Sequence, residues 1–243
     1  MSDGTVRIAM WSGPRNISTA LMRAWENRPD TAVWDEPLYA HYLATTDLDH
    51  PMREAIVAAY PADWKTITAR CAGPAPDGAA VFYQKHMTHH LLDQVGRDWL
   101  DGLRHGFLIR APEEVLASYA AKRESVTAAD LGFQQQVDLF DAIADRQGNA
   151  PPVFDARDIL ADPASALAAM CRAFDVAFMP EMLSWPAGRR DSDGLWAAHW
   201  YGAVERSTGW QPYRAPIASL PADLARIADA CRPAYERLQA HAG

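Results

Sequence analysis

Residues able to grip an anion stand together near the start of the chain, in Pro14-Arg15-Asn16-Ile17-Ser18-Thr19 directly after Ser12-Gly13. Arg15 offers a fixed fork of donors that matches phosphate or sulfate oxygens. Ser18 and Thr19 add neutral hydroxyl donors, although Ser18 is equally suited to be a plain helix cap. A second arginine, Arg110, leads into Ala111-Pro112 and then Ser118-Tyr119. A serine about two helical turns past the proline could share an anion with Arg110. A salt-bridged arginine and a surface serine would look the same. Gln84-Lys85-His86 puts a cation beside an imidazole, and His86 there could act as a general base. His86, His89 and His90 also form H-x-x-H-H, a spacing that would share one helical face and could hold a metal. No cysteine follows at ligand spacing, which disfavours that use. Trp196 and Trp200 stand at i,i+4 and could line a substrate pocket.

The elements needed to position these groups follow from the pattern. Val6–Trp11 is an apolar run of strand formers, broken by Ser12-Gly13-Pro14, and a helical pattern begins at Ser18. Strand, tight loop and helix in that order make the usual phosphate cradle, because N–H groups at a helix start are unpaired and the dipole favours an anion. Thr31–Trp34 reads as a second strand, ended by Asp35-Glu36-Pro37. Residues 51–71 read as helix, and the Gly- and Pro-rich stretch 73–78 as loop. Ala80–Tyr83 reads as a third strand running into Gln84-Lys85-His86, with a helix through Leu91, Leu92 and Val95 after it. Phe107–Ile109 is short and wholly apolar, as in a strand buried on both faces, and Pro112 opens a helix at its first position. Helices are expected over 129–147, from Pro163, over 195–204 and over 220–238, with a fifth strand at Val153-Phe154. The irregular stretch 185–194 contains Asp191-Ser192-Asp193-Gly194, which lacks the spacing of a calcium loop. Strands alternating with helices predict an α/β fold with a central, mostly parallel sheet. No repeat or linker divides the chain, so one domain over 1–243 is expected.

Composition narrows the partners. The 243 residues are 49% hydrophobic and carry a formal net charge of -8, with no run of Lys and Arg, which argues against a nucleic-acid binder. A local pocket can still be positive inside an acidic protein. The three cysteines are far apart and form no CxxC, as expected of buried thiols in a reducing cytoplasm. No apolar run approaches the roughly 20 residues needed to cross a bilayer. The Walker A pattern is absent, and Arg110 ends the apolar strand where a magnesium-binding Asp would be expected, so a magnesium-nucleotide kinase or ATPase is disfavoured.

The two arginine segments together resemble the sulfotransferase superfamily, whose members have a P-loop-type, three-layer α/β fold. Pro14–Thr19 is similar to the family's loop after the first strand, and Arg110-Ala111-Pro112 with Ser118 to its later strand-to-helix segment. Asp35-Glu36-Pro37-Leu38 and Phe154–Pro163 are similar to further stretches of bacterial members, and Arg206-Ser207-Thr208-Gly209-Trp210 to the C-terminal Gly-rich segment. Asn16 and Ile17 stand where the family usually has Ser and Gly. A β-branched Ile resists positive φ, so the loop is expected to take a different turn or to hold phosphate less closely.

The resemblance implies a sulfotransferase that moves a sulfuryl group from 3′-phosphoadenosine 5′-phosphosulfate to a small-molecule hydroxyl or amine, without a metal. Ser12–Thr19 would hold the donor's 5′ end, with Arg15 neutralising charge on the leaving oxygen, while Arg110 and Ser118 would hold the 3′-phosphate. Glu36 or His86 would take the acceptor's proton, and Lys85 would stabilise the transferring group. The alternatives are a P-loop phosphotransferase or nucleotide-binding protein, and a sulfotransferase-like binder without chemistry. A soluble cytoplasmic protein is expected, with no nucleic-acid or membrane partner and its oligomeric state open.

Overall fold

The computed structural model describes residues 4–48, 50–120, 126–214 and 220–243. Five strands, β1 (Val6–Ser12), β2 (Thr31–Asp35), β3 (Val81–Met87), β4 (Arg104–Ile109) and β5 (Val153–Asp155), form one sheet in the order β2-β3-β1-β4-β5. Every pairing is parallel. The helices are α1 (Ser18–Glu26), α2 (Tyr39–Thr45), α3 (Arg53–Ala59), α4 (Trp64–Ala72), α5 (Pro112–Ala120), α6 (Ala128–Leu131), α7 (Phe133–Gln147), α8 (Ala156–Ala161), α9 (Pro163–Ala173), α10 (Ala197–Trp200), α11 (Gly202–Glu205) and α12 (Ala222–Gln239).

The period of two in β1 divides the core. Ala9 and Trp11 face one apolar cluster, built with residues of α4, α5, α7 and α12. Ile8 and Met10 face the other, built with α1, α8 and α9. Helices thus cover both faces, giving three layers. A third cluster, of Tyr39, Leu43, Ile56, Trp196 and Tyr201 among others, packs α2 and α3 against α10. Because β1 has β3 on one side and β4 on the other, the chain reverses its direction of travel across the sheet at β1. Ligands of open parallel sheets bind at such a switch point, beyond the strands' carboxyl ends.

Several expected elements differ. Residues 51–71 are two helices, α3 and α4, separated at Tyr60–Asp63, where Pro61 removes a donor and Asp63 caps α4 by accepting from Thr66 N. The helix expected through Leu91, Leu92 and Val95 is instead a single 3₁₀ turn at Thr88–His90 followed by irregular chain. Leu91 and Val95 are still buried, so apolar spacing alone mimicked a helix. The stretch 129–147 is broken at Gly132 (φ 71°), which caps α6 and opens α7. Residues 195–204 fold as two single turns, α10 and α11. The helices α2 and α8 carry no strong periodicity and were not foreseen.

Candidate active site

The loop between β1 and α1 is strained. Arg15 (φ 58°) and Ile17 (φ 50°) both lie in the left-handed region, and Ile17 is the residue that precedes α1. The expectation that Ile17 would refuse a positive φ is therefore corrected. The conformation costs on the order of 1–3 kcal/mol and must be over-determined by its surroundings. Those surroundings are visible. Ile17 packs against the α1-side core, and the buried Asn16 donates from Nδ2 to the Leu108 carbonyl at 2.6 Å. Behind them, a Cβ on Gly13 would stand 2.7 Å from the Leu131 carbonyl oxygen, so only glycine fits. The result is a loop that leads straight into the N-terminus of α1, whose first N–H groups have no intrahelical partner.

Arg15 and Arg110 come from the loops after adjacent strands, β1 and β4. Arg15 Nε donates to Ser118 Oγ on α5 at 3.0 Å, and Arg110 Nη1 donates to the Arg15 carbonyl at 3.1 Å. Arg110 is also paired with Glu114 at 2.8 Å, and Glu114 accepts from the Tyr213 hydroxyl at 2.9 Å. Among the described residues Arg15 has no ion-pair partner. Burial, and then the neighbouring Arg110, disfavour its charged form. Two guanidinium groups this close, one uncompensated, make a place that an anion would stabilise.

The opposite wall holds a buried ionic network. Asp35 and Lys85 are directly paired across β2 and β3. Lys85 Nζ donates to Asp35 at 2.9 Å, to the Tyr201 hydroxyl at 2.9 Å and to Glu36. Asp35 also accepts from the Tyr201 hydroxyl at 2.7 Å and from Trp196 Nε1 at 3.1 Å. Burial works against the lysine's charge, but Asp35 and Glu36 outweigh it and hold the ammonium form well above its ordinary range. Glu36 (φ 42°) is turned inward by a left-handed residue geometry, while its N–H continues the sheet by donating to Lys85 O at 2.9 Å. Burial raises the Glu36 carboxyl, Lys85 draws it down and Asp35 raises it again, with a net upward direction.

Pro14 to Thr19, Glu36, Lys85, Arg110 and Ser118 all line one cleft of about 1210 Å³. Ser12 and Gly13 lie beneath it; the Ser12 hydroxyl faces Met87 Sδ. His86 does not line it, which corrects its expected place at the pocket mouth. In a strand, alternate residues face opposite sides, so Lys85 turns to the α1 side while His86 turns to the other. There it stacks on Trp11 at 4.4 Å and its Nε2 meets Gln84 Oε1 at 3.2 Å. Burial, then His105 and Lys85, lower its pKa to about 3. Trp200 lines the cleft, whereas Trp196 is buried behind it on Asp35. Ser207, Gly209 and Trp210 of the C-terminal Gly-containing stretch also line it. Asp193 forms a buried pair with Arg23 at 2.6 Å. Among the described residues no cluster of His, Cys, Asp or Glu could hold a metal ion, and no helix is long and apolar enough to cross a membrane.

Sequence reasoning missed Asp35 as a partner of Lys85, missed Tyr201 and Tyr213 as cleft residues and Glu114 as a partner of Arg110, and read His90 only as a metal-spacing histidine. The signal for Asp35 was present, since the last residue of β2 and Lys85 near the end of β3 carry opposite charges. Tyr201 comes from far along the chain and carries no motif.

The comparisons with known proteins give the family and the fold. A family model described as a sulfotransferase domain matches residues 6–242. Two Arabidopsis thaliana proteins, branched-chain-amino-acid aminotransferase-like proteins 1 and 2, are 30% and 29% identical over 96% of this chain. The chain spans 42% and 41% of their lengths. Among solved structures, the sulfotransferase domain from the curacin biosynthetic pathway superposes with a TM-score of 0.54 at 16% identity, over 94% of this chain and 98% of that one. A sulfotransferase from Alicyclobacillus acidocaldarius gives 0.55 at 11% identity, over 97% and 94%. At these identities the superpositions speak for the fold alone, but the family model covers nearly the whole chain. The chain belongs to the sulfotransferase domain family.

Proposed function

We propose that this protein transfers a sulfuryl group from 3′-phosphoadenosine 5′-phosphosulfate to a small-molecule hydroxyl or amine, in a cytoplasmic setting suited to its three buried free cysteines. The observation that carries the reading is the placing of Arg15 beside Arg110, which donates to the Arg15 carbonyl while Arg15 donates to Ser118, at the switch point and beside a helix N-terminus. Two phosphate-sized anion sites side by side suit a donor with phosphates at both its 3′ and 5′ positions. The donor brings an activated S–O bond. Pro14 to Thr19 would hold its 5′ end, and Arg15 would offset charge developing on the leaving oxygen. Arg110 and Ser118 would hold its 3′-phosphate.

On the other wall, Glu36 is the general base of this proposal. It takes the acceptor's proton as the acceptor's new bond to sulfur forms and the bond to the 5′-phosphate breaks, leaving adenosine 3′,5′-bisphosphate. Lys85 keeps Glu36 in place and supplies positive charge near the transferring group.

The test is thermal stability. Ligand that binds only the folded state stabilises it by about 2.7 kcal/mol at a hundredfold excess over Kd. Adenosine 3′,5′-bisphosphate should raise the Tm with EDTA present, and more than AMP does. Stabilisation by ATP with magnesium, and none by the bisphosphate, would favour a phosphotransferase instead. Tight bisphosphate binding without turnover on any acceptor would leave a binding protein.

A further inference from the structure

The cleft is divided electrically. Its arginines, Arg15, Arg110 and Arg214, all lie at the end bounded by the β1–α1 loop, α5 and the stretch after Trp210. At the other end the described lining comes from α2, Leu48, His50, Pro51, Met87, His89, His90, Leu92 and α10–α11, and Lys85 is its one lysine or arginine. Lys85 is already engaged by Asp35 and Glu36. The remaining surface there is tyrosine, tryptophan and aliphatic side chain interleaved with the imidazoles of His50, His89, His90 and His199, and opens to solvent past Leu48, which is 40% exposed. Among the described residues, a carboxylate, sulfate or phosphate on an acceptor would find no lysine or arginine at this end that is not already paired with a carboxylate.

One polar pair faces this space. Glu36 Oε1 is taken by Lys85, while Glu36 Oε2 stands 3.9 Å from Nδ1 of His90. That nitrogen is buried and has no hydrogen-bond partner. The imidazole cannot easily turn away, because it is stacked between Tyr39 (4.6 Å, 2°) and Tyr42 (4.7 Å, 29°). A buried ring nitrogen left unpaired is costly, and a separation of 3.9 Å is too wide for a direct bond but lets an oxygen beside the pair sit within about 2.8 Å of both. A hydroxyl fits both neighbours: it donates its single proton to the carboxylate oxygen and accepts from, or is shared with, the imidazole. A primary ammonium has no lone pair to accept from the imidazole, and would bring three donors to one carboxylate oxygen beside the lysine's charge.

We propose that the acceptor is an uncharged, predominantly apolar alcohol whose hydroxyl sits between Glu36 Oε2 and His90 Nδ1. This rests on the sulfotransferase reading for the arginine end of the cleft, but it makes a separate claim about the other end. His90 is then a further site residue that orients the hydroxyl against Glu36.

Calorimetric titration tests it, with protein saturated by adenosine 3′,5′-bisphosphate and three probes: 2-naphthol, 6-hydroxy-2-naphthoate and glucosamine. 2-Naphthol should bind at least about tenfold more tightly than the other two. Leu48→Asp, at an exposed position, should weaken 2-naphthol about tenfold and leave bisphosphate binding unchanged. His90→Phe keeps the ring stack and removes the nitrogen. It should abolish the preference for 2-naphthol over 2-methoxynaphthalene, a loss of about tenfold for one hydrogen bond. The proposal is overturned if 2-naphthol does not bind, if the naphthoate or glucosamine binds as tightly, or if His90→Phe keeps the hydroxyl preference. If the bisphosphate itself fails to bind, the donor reading fails, and the same titrations on the free protein still decide the acceptor.

Discussion

At the scale of single residues, the division of labour proposed for the two arginines can be measured. Arg110→Ala should erase discrimination between adenosine 3′,5′-bisphosphate and AMP while AMP affinity changes little. Arg15→Ala should weaken both ligands. A charge-assisted contact of this kind is worth roughly 1.5–3 kcal/mol, or about ten- to a hundredfold in Kd. Equal losses for both ligands in both variants would show the assignment to be wrong. Glu36 makes the second residue-scale prediction. A base must be unprotonated, and the Glu36 carboxyl is raised by burial despite Lys85. Turnover should therefore rise with pH along a limb centred above 4.5, the ordinary glutamate value. Glu36→Gln should lower turnover by about 10²–10⁴-fold with bisphosphate binding intact; a near-normal rate would remove Glu36 as base. Both arginines and Glu36 were legible because each ends or follows a strand, where residue type and position coincide. His86 was misplaced because adjacency to Lys85 in sequence is opposition in a strand, a matter of register that one residue decides. His90 was seen only as a metal-spacing histidine, since its tyrosine partners come from a helix that had no clear pattern.

At the scale of elements, the strand-loop-helix unit at the start shows what sequence can and cannot say. Its order and boundaries were readable from an apolar run, a Gly-Pro break and a capping-type serine. Its backbone was not, because Ile17 adopts a left-handed conformation against its own preference. The preference is overruled by non-local contacts: Asn16 on the β4 carbonyl and Gly13 against the end of α6. Gly13 is the tightest of these. A Gly13→Ala methyl would stand 2.7 Å from a backbone oxygen, and backbone cannot rotate aside as a side chain can. Overpacking of this kind costs typically 1–3 kcal/mol. The expected outcome is a lower denaturation midpoint together with weaker bisphosphate binding, because the loop itself must shift. Unaltered bisphosphate affinity in a destabilised Gly13→Ala protein would mean that the loop does not carry the phosphate. The same logic explains the failed helix after β3: Leu91 and Val95 are buried by tertiary packing, and burial produces helical spacing without a helix.

At the scale of the whole molecule, an acidic chain encloses both a positive cleft end and a set of uncharged histidines, and the second feature governs its response to acid. His105 shows the tautomer in its bonds. Trp11 Nε1 donates to its Nδ1 at 3.0 Å, so that nitrogen is bare, and its Nε2 donates to the Leu100 carbonyl at 2.9 Å. Protonation would break the Trp11 bond. Burial lowers the His105 pKa to about 4, and burial with neighbouring positive groups lowers His86 to about 3, both from 6.5. Between those values and 6.5 the unfolded chain binds protons that the folded one refuses. Stability therefore falls as pH falls through that window, by about 1.36 kcal/mol per pH unit for each imidazole. Glu36 acts with the opposite sign, since its raised carboxyl favours the fold on the acid side, but it is one group against three, because burial also holds His90 well below its ordinary value. Net acid lability is expected from about pH 6.5 downward, well above the range where ordinary carboxylates titrate. Urea unfolding at pH 7 and pH 5 measures it. His86→Phe keeps the stack on Trp11 and cannot be protonated, so its loss of stability between the two pH values should be smaller than the parent's by about 2 kcal/mol, the slope of one imidazole over that interval. An unchanged difference would show that the buried imidazole does not set the acid limb.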